Sequence, residues 1–235
     1  MSQEDDKPTS ALTEKALEVH RRLIEAYGTP AAPTGTERDP VASLVNTILS
    51  QNTNDRNRDI AFQQLRERFP TWEEVREAPT EEIIEAVTPA GLAPTKAPRI
   101  QHALRAITQR EGRISLGFLR ELPLEEAKAW LLDLDGVGPK TAAIVLLFAM
   151  DRPLFPVDTH VHRVTRRLGL IPEGTSREKA HSLLEALLPE QLYYPAHLNI
   201  ITHGRQVCKA RSPQCERCTL QDLCCYYRQG DDAAR

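Results

Sequence analysis

The sequence has 235 residues, of which 40% are hydrophobic and 5% aromatic, and its formal net charge is −3 at pH 7. This length can bury a sizeable core in one large domain or two small ones, and the low aromatic content argues against broad stacking surfaces for single-stranded nucleic acid. No apolar run approaches the roughly 20 residues that span a bilayer. The acidic, polar start lacks the pattern of a secretory signal or a transit peptide. We therefore expect a cytoplasmic protein with no membrane partner.

Helical patterns fill the chain, and no segment predicts a convincing strand. Thr9 or Ser10 can cap a first helix that runs to about Tyr27, and Asp39 followed by Pro40 opens a second helix that runs to about Ser50. Further N-caps are predicted at Asn54, Thr71, Thr80 and Thr95. Later helices are predicted at about 124–134, 139–150, 159–168, 176–188 and 194–207. The pattern predicts an all-α protein.

Charge is distributed unevenly along the chain. Residues 96–113 contain one acid, Glu111, and five basic residues, which are Lys96, Arg99, Arg105, Arg110 and Arg113. Residues 159–167 add Arg163, Arg166 and Arg167 with two His and no acid. Each stretch is either a solvated helix face or part of a basic surface suited to a polyanion.

Residues 131–145 predict a helix, a tight Gly-x-Gly turn and a second helix. Gly136 and Gly138 permit backbone angles closed to other residues and let another backbone come close, while Val137 is expected to anchor the turn in the core. Pro139 suits the first position of the new helix. Free N–H groups of the turn and the helix start form an anion site suited to a phosphate. This is the helix-hairpin-helix pattern of DNA binders that do not read sequence, and a plain helix–helix turn is the weaker alternative.

Lys140 follows this turn directly, and two interpretations of it compete. It can contact phosphate, or it can be a nucleophile, which requires that its pKa of roughly 10.4 be lowered by desolvation or positive potential. A helix N-terminus supplies such potential. Asp158, eighteen residues further along, can be a helix N-cap or a catalytic partner of Lys140.

All five Cys lie in the last 28 residues. Four of them, within 17 residues, suit a [4Fe–4S] cluster or a zinc ion: Cys208, Cys215, Cys218 and Cys224. Their unequal spacing differs from the paired C-x2-C arrangement of common zinc ribbons. Cys225 is the spare residue, and physical reasoning alone leaves it open as a ligand.

The run Gly136-Val-Gly-x-Lys140-Thr-Ala, followed by Val157-Asp158-Thr-His-Val-x-Arg163-Val, resembles the endonuclease III branch of the helix-hairpin-helix DNA glycosylases. The resemblance extends from about Pro40 to Tyr227. It implies that Lys140 attacks the anomeric carbon of a damaged nucleoside, while Asp158 activates the lysine or stabilises positive charge on the sugar. The base leaves, a Schiff base forms, and elimination breaks the strand on the 3′ side. The implied substrates are oxidised or saturated pyrimidines in double-stranded DNA, so that the function is base excision repair.

The resemblance also assigns the remaining site residues. The cofactor implied is a [4Fe–4S] cluster on Cys208, Cys215, Cys218 and Cys224. The hairpin and the helix after Asp158 are expected to bind DNA through Gly136, Val137, Gly138, Thr141, His160 and Arg163. An insertion loop at 50–55 fills the gap left by the extruded base, through Asn52 on alignment or through the adjacent Gln51. Leu92 is expected to wedge against the unpaired partner base, although Ala93-Pro94 replaces the family's Tyr-Asn there and leaves the lesion preference open.

Two domains are implied, with DNA in the cleft between them and Lys140 facing Asp158. One is a six-helix barrel with the helix-hairpin-helix at 34–152, and the other joins 9–33 to 153–230 and holds the cluster. Residues 1–8 and 231–235 are expected to be disordered tails, and the protein is expected to be a nucleoid-associated, bacterial-type monomer.

Several alternatives stay open. Adenine-from-mismatch glycosylases share the hairpin, the Asp and the cluster, but they lack the nucleophilic Lys and have a carboxylate near the position of Thr47. A thymine-mismatch glycosylase is a second alternative. A non-catalytic DNA-binding or redox-sensing protein, or a zinc-stabilised architectural protein, would use the hairpin and the cysteines alone.

Overall fold

The computed structural model describes residues 9–31 and 38–232, and these residues contain helices but no β-strand. The prediction of an all-α protein is therefore confirmed. None of the described helices is long and apolar enough to cross a membrane. The chain divides into two compact units, residues 33–152 and residues 1–32 with 153–235. Of the expected tails, 1–8 and 233–235 lie outside the described residues, while 231 and 232 end the last helix.

In the unit at 33–152, of which residues 38–152 are described, the described α-helices are Pro40–Ser50 (α2), Asp55–Arg68 (α3), Trp72–Glu77 (α4), Thr80–Val87 (α5), Ala93–Glu111 (α6), Leu124–Leu132 (α7) and Pro139–Ile144 (α8). Helix α2 packs against α3 and α8, and α6 packs against α4 and α5. Leu44, Ile48, Ile100 and Leu104 are fully buried on the facing sides of α2 and α6. This apolar core supplies most of the stability of the unit.

Three of the predicted caps in this unit are confirmed. The Asp39 carboxylate accepts a hydrogen bond from Val41 N, and Asn54 Oδ1 accepts one from Asn57 N. Thr71 forms a capping box with Glu74, in which each side chain bonds the other residue's backbone N–H. These caps satisfy N–H groups that the helices themselves leave unpaired.

Two other predicted caps are wrong. Thr80 is the first residue of α5, after Pro79, and its hydroxyl donates to Gln101 Oε1 at 2.7 Å instead of capping the helix. Thr95 lies inside α6, because the helix already begins at Ala93 after a left-handed Leu92. In both places the helix begins earlier in the chain than the local signal predicts.

The helix predicted at 139–150 has the expected extent but not a uniform geometry. The α-helical part ends at Ile144, and Val145–Ala149 is a π-helical turn. Val145, Leu146 and Leu147 in this turn are buried. A π turn corresponds to an α-helix with one extra residue inserted.

In the unit formed by 1–32 and 153–235, the α-helices within the described ranges 9–31 and 153–232 are Ser10–Tyr27 (α1), Thr159–Leu168 (α9), Arg177–Leu187 (α10), Tyr193–Gln206 (α11) and Cys225–Asp232 (α12). Thr9 is the N-cap of α1. Helix α11 packs against both α1 and α9. Ile200 of α11 is buried, as are Leu23 of α1 and Phe155. The segment between α11 and α12 contains the first four cysteines and has only short 3₁₀ turns.

Candidate functional site

The Gly-x-Gly turn of the hairpin has the form that the sequence predicts. Helix α7 ends at Leu132, and Gly136 has a φ of +75°, which favours glycine. A Cβ on Gly136 would lie 2.7 Å from Arg99 Cδ, so this position excludes larger residues for two reasons. Val137 is 6% exposed and anchors the turn in the core.

Gly138 differs from Gly136 and corrects the expectation of glycine-only angles at both positions. Its φ is −99° and its ψ is 179°, an extended conformation that other residues adopt readily. A Cβ on Gly138 would have no atom of the described chain within 4 Å. The folded chain therefore does not require glycine at 138, and only the approach of another molecule would.

Lys140 is the second residue of α8 and is half-buried. Thr141, beside it, is 4% exposed. Its hydroxyl therefore has little access to a ligand, and only its backbone N–H, in the first turn of the helix, is suited to bind a phosphate. Lys140 belongs to the unit at 33–152, whereas Asp158 belongs to the other unit.

The loop after α2 holds Gln51 and Asn52 in different environments. Gln51 Nε2 donates to Gly136 O at 3.1 Å, and Arg99 Nη1 lies 3.4 Å from Gln51 Oε1. Gln51 thus links the loop to the hairpin turn. Asn52 is exposed and has a left-handed φ of +52°.

Leu92 is exposed on a second loop and has a left-handed backbone, as Asn52 has on the first. A short 3₁₀ turn, Thr88–Ala90, and Gly91 lead to Leu92, which has a φ of +52° and is 56% exposed. Left-handed backbone is costly for a residue other than Gly or Asn and persists only where the surroundings enforce it. Leu92 therefore projects from a strained position, whereas Asn52 is a residue type that adopts the same φ at little cost.

In the other unit, Asp158 caps α9, with Oδ1 accepting a hydrogen bond from Val161 N at 2.7 Å. The capping interpretation is thus part of its role, and Oδ2 takes no part in this bond. His160 is half-buried, and burial lowers its pKa while the nearby Asp158 opposes that shift.

Arg163 is engaged with the protein itself. Its Nε donates to Cys208 O at 3.0 Å and its Nη2 donates to Gly204 O at 2.9 Å, with His160 Nδ1 at 3.0 Å from the same nitrogen. Arg163 therefore joins α9 to the start of the cysteine segment. Its expected contact with DNA stays a prediction.

The cysteine segment lines a pocket that is partly open to solvent. Four thiols contribute to its wall, from Cys208, Cys215, Cys218 and Cys224. In the part of the chain that the structure describes, no three His, Cys, Asp or Glu side chains group closely enough to hold a single metal ion. Burial raises the pKa of the Cys215, Cys218 and Cys224 thiols. A bound group of positive charge reverses this effect by coordinating the thiolate, and a set of four thiols that line one pocket fits a [4Fe–4S] cluster.

Hydrogen-bond donors already point at two of these sulfurs. Arg167 Nη1 lies 3.3 Å from Cys208 Sγ, and Leu220 N lies 3.4 Å from Cys218 Sγ. His203 Nε2 lies 3.6 Å from Cys218 Sγ, and burial lowers the pKa of His203 to about 4, so the ring is neutral near pH 7. Such donors stabilise thiolate ligands.

Cys225 does not line the pocket. Its Sγ lies 3.5 Å from Leu168 O and 3.6 Å from Lys15 Nζ. A Cβ on Gly169 would lie 2.5 Å from that sulfur. Cys225 therefore faces the junction of α1 and α9, which separates it from the other four cysteines.

Sequence reasoning missed Lys96 and His203 as site-related residues. The sequence groups Lys96 with a basic stretch, yet the side chain is 1% exposed. The missed signal is its position, because Ala93, Ala97 and Ile100 place residue 96 on the apolar face of α6. For His203 the sequence offers no comparable signal beyond its position five residues before Cys208.

Family models and curated proteins of DNA repair match most of this chain. The HhH-GPD superfamily base excision DNA repair protein model matches residues 45–190, and the model of the iron-sulfur binding domain of endonuclease III matches residues 208–224. Endonuclease III of Thermotoga maritima is 37% identical over 193 residues, which cover 82% of this chain and 86% of that protein. A candidate DNA glycosylase of Arabidopsis thaliana is 39% identical over 171 residues, and the chain spans only 58% of its length.

Solved structures resemble this chain over nearly its whole length. A non-covalent endonuclease III–DNA complex has a TM-score of 0.79 at 27% identity, covering 94% of this chain and 98% of the other. A thermostable thymine-DNA glycosylase has a TM-score of 0.74 at 23% identity, covering 94% of this chain and all of the other, and this likeness concerns the fold alone.

Proposed function

The chain belongs to the endonuclease III family within the HhH-GPD superfamily of base excision DNA repair proteins, and we propose that it is a bifunctional DNA glycosylase and AP lyase that uses Lys140 as nucleophile. The observation that carries this proposal is the position of Lys140. It lies half-buried in the first turn of α8, directly after the hairpin, in a chain that also has Asp158 at the start of α9.

The chemistry follows from the residue types. The neutral Lys140 Nζ forms a bond to C1′ of the damaged nucleotide as the glycosidic bond breaks, and that bond's electron pair leaves with the base, which takes up a proton. Opening of the sugar ring then gives a protonated imine. Loss of a C2′ proton and departure of the 3′ phosphate break the strand. The Asp158 carboxylate, held in place by its bond to Val161 N, stabilises positive charge that develops on the sugar.

Double-stranded DNA that contains an oxidised or saturated pyrimidine is the proposed substrate. Binding energy comes from contacts to the phosphate backbone, which position the protein without reading sequence. The open space beside Gly138 supports close approach of a DNA strand to the hairpin. We place the protein with the chromosomal DNA of a bacterial-type cell and expect it to act as a monomer.

Of the two candidates for filling the gap, Asn52 is better suited. Gln51 already donates to Gly136 O and would have to break that hydrogen bond before it could enter DNA. Asn52 is exposed at the tip of the loop. We therefore propose that Asn52 fills the gap left by the extruded nucleotide and that Gln51 links the loop to the hairpin.

The family's iron–sulfur domain matches the cysteine segment, and the chain carries a [4Fe–4S] cluster there. Cys208, Cys215, Cys218 and Cys224 would hold it, since these four thiols line the pocket and Cys225 does not. When bound, the cluster supplies structural cross-links for a segment with little regular structure. The basic side chains of the cysteine segment are exposed at the surface.

Borohydride trapping on a duplex with a single thymine glycol tests the assignment, with wild type and Lys140→Ala compared side by side. Wild type is expected to form a covalent adduct, and the variant is expected to form none. The rate at which the variant excises the base should fall on the order of 10⁴-fold or more. Base release without an adduct in wild type would indicate a monofunctional glycosylase. Absence of both, on this and on thymine and adenine mismatches, would leave a non-catalytic DNA-binding iron–sulfur protein.

A further inference from the structure

Lys96 presents a charge where the fold otherwise has apolar side chains. The residue is 1% exposed in the middle of the apolar face of α6. Burial lowers the pKa of this amine, because removing a charge from water is unfavourable. A buried lysine of this kind needs partners that compensate for the lost hydration.

Three oxygen atoms surround the Lys96 amine. Nζ donates to Leu49 O at 2.7 Å and to Ala90 O at 2.9 Å, and Thr53 Oγ1 lies at 3.5 Å. An ammonium has three N–H donors, which match these three acceptors in number. The hydroxyl of Thr53 also donates to Ala90 O.

These acceptors come from two separate segments of the chain. Leu49 and Thr53 flank the tip of the loop after α2, where Asn52 lies, whereas Ala90 precedes Leu92 by two residues. Lys96 therefore connects the bases of the two loops whose tips are exposed and left-handed, with φ of +52° at both Asn52 and Leu92. Apart from the short 3₁₀ turn Thr88–Ala90, the described residues of these loops have no regular structure that would enforce these angles.

We infer that Lys96 is a positioning residue for opening the DNA duplex: it holds Asn52 and Leu92 at a fixed separation and in the left-handed backbone conformation from which they enter the base stack. This inference rests on the proposed function. A conformation prepared before binding lowers the cost of inserting side chains when the damaged nucleotide is extruded.

The same helix offers a matched comparison in Gln101. This side chain is fully buried, and its Nε2 donates to Val75 O at 3.0 Å and to Ala78 O at 2.8 Å. Gln101 thus binds backbone carbonyls as Lys96 does, but between α4 and α5, away from Asn52 and Leu92. A variant at 101 reports the cost of losing such a buried link without a role in DNA opening.

The test compares Lys96→Met with Gln101→Leu on two substrates. One duplex has a thymine glycol paired with adenine, and the other has the same lesion opposite a tetrahydrofuran residue, which has no base to pair with and cannot form a Schiff base with lysine, so that extrusion costs less. Lys96→Met is expected to lose about tenfold or more in excision rate on the paired lesion relative to the unpaired one. Gln101→Leu is expected to lose the same factor on both.

Thermal unfolding of each variant accompanies the rates. If Lys96→Met does not fold, Thr53→Val removes one arm of the same link and is expected to show the same selective loss at roughly threefold. Equal losses on both substrates for the Lys96 and Thr53 variants would overturn the inference. Inactivity of wild type on both substrates would instead overturn the proposed function.

Discussion

The loops at 50–53 and 88–92 and the cysteine segment at 208–224 are both irregular, yet they are held in opposite ways. In the loops, the chain's own side chains bind the backbone, with Lys96 bonded to Leu49 O and Ala90 O and Gln51 bonded to Gly136 O. In the cysteine segment, four thiols line one pocket. The difference shows that one irregular region can be held by the protein's own side chains, while another, in the other unit, is built around a group that the chain itself does not supply.

Removing one cluster ligand should have the largest effect and separate the two regions. Cys218→Ala is expected to lose the visible absorption of the cluster and to destabilise its unit by several kcal/mol, because bound metal contributes folding free energy directly. Hydrogen exchange should then show loss of protection at 208–224 with protection retained at 46–53 and 93–100. Cys225→Ser is the control and should keep the absorption and change stability by less than about 1 kcal/mol. Loss of protection in both regions alike would contradict the comparison.

The two glycines of the hairpin sharpen the comparison on the loop side. Gly136→Ala should cost roughly 1–3 kcal/mol of unfolding free energy, because φ is +75° and the new Cβ meets Arg99. Gly138→Ala should leave stability within about 0.5 kcal/mol but weaken duplex binding by roughly tenfold, since its space is open for an approaching strand. Urea unfolding and DNA affinity at one fixed salt concentration measure the two effects. An unchanged affinity in Gly138→Ala would show that DNA does not approach there.

Substitutions of Asn52 and Gln51, at the tip of the loop after α2, should reduce the excision rate to different extents. Asn52→Ala is expected to reduce excision of a paired lesion by about tenfold, because nothing then fills the gap left by the extruded base. Gln51→Ala should reduce it by less, about threefold, because it loosens the link to Gly136 without emptying the gap. Single-turnover rates on one duplex measure both variants, and the reverse order would assign the gap to Gln51.

A smaller effect is expected at His20, on α1 in the cluster unit. Among the described residues, His20 Nδ1 is a buried atom with no hydrogen-bond partner, and burial lowers the pKa of the ring below 6.5. As the pH falls through 6.5, the unfolded chain therefore binds a proton before the folded protein does, and stability decreases with falling pH. His20→Leu should add about 1 kcal/mol at pH 7 and flatten this acid dependence. Urea unfolding between pH 7 and pH 5 is the measurement, and parallel curves for the two proteins would contradict the assignment.

The sequence predicts those parts of the fold that depend on local signals. Asp39, Asn54 and Thr71 are short polar residues directly before helix formers, and the caps they predict are present. The Gly-x-Gly turn and the spacing of the cysteines are likewise local patterns. Thr80 failed as a cap because the helix begins at Thr80 itself, with Pro79 in the cap position.

The arrangement of the loops could not be predicted in the same way. The left-handed backbone of Leu92 coincides with a hydrogen-bond network around Lys96 that joins three segments. A basic residue in a basic stretch predicts exposure by composition, and only its register on the apolar face of α6 indicates burial. Likewise, the different orientations of Cys224 and Cys225 arise from α12 beginning between them.

The π turn at Val145–Ala149 also bears on how the chain tolerates changes in length. It follows the helix of Lys140 directly and is largely buried. Since each α-helical residue turns the helix by about 100°, deleting one residue within this turn would restore regular α-helical geometry locally. Residues 139–144 would keep their place beside the hairpin, and the adjustment would fall on the chain that follows. A deletion within this turn would therefore leave α8, which contains Lys140, in its place relative to the hairpin.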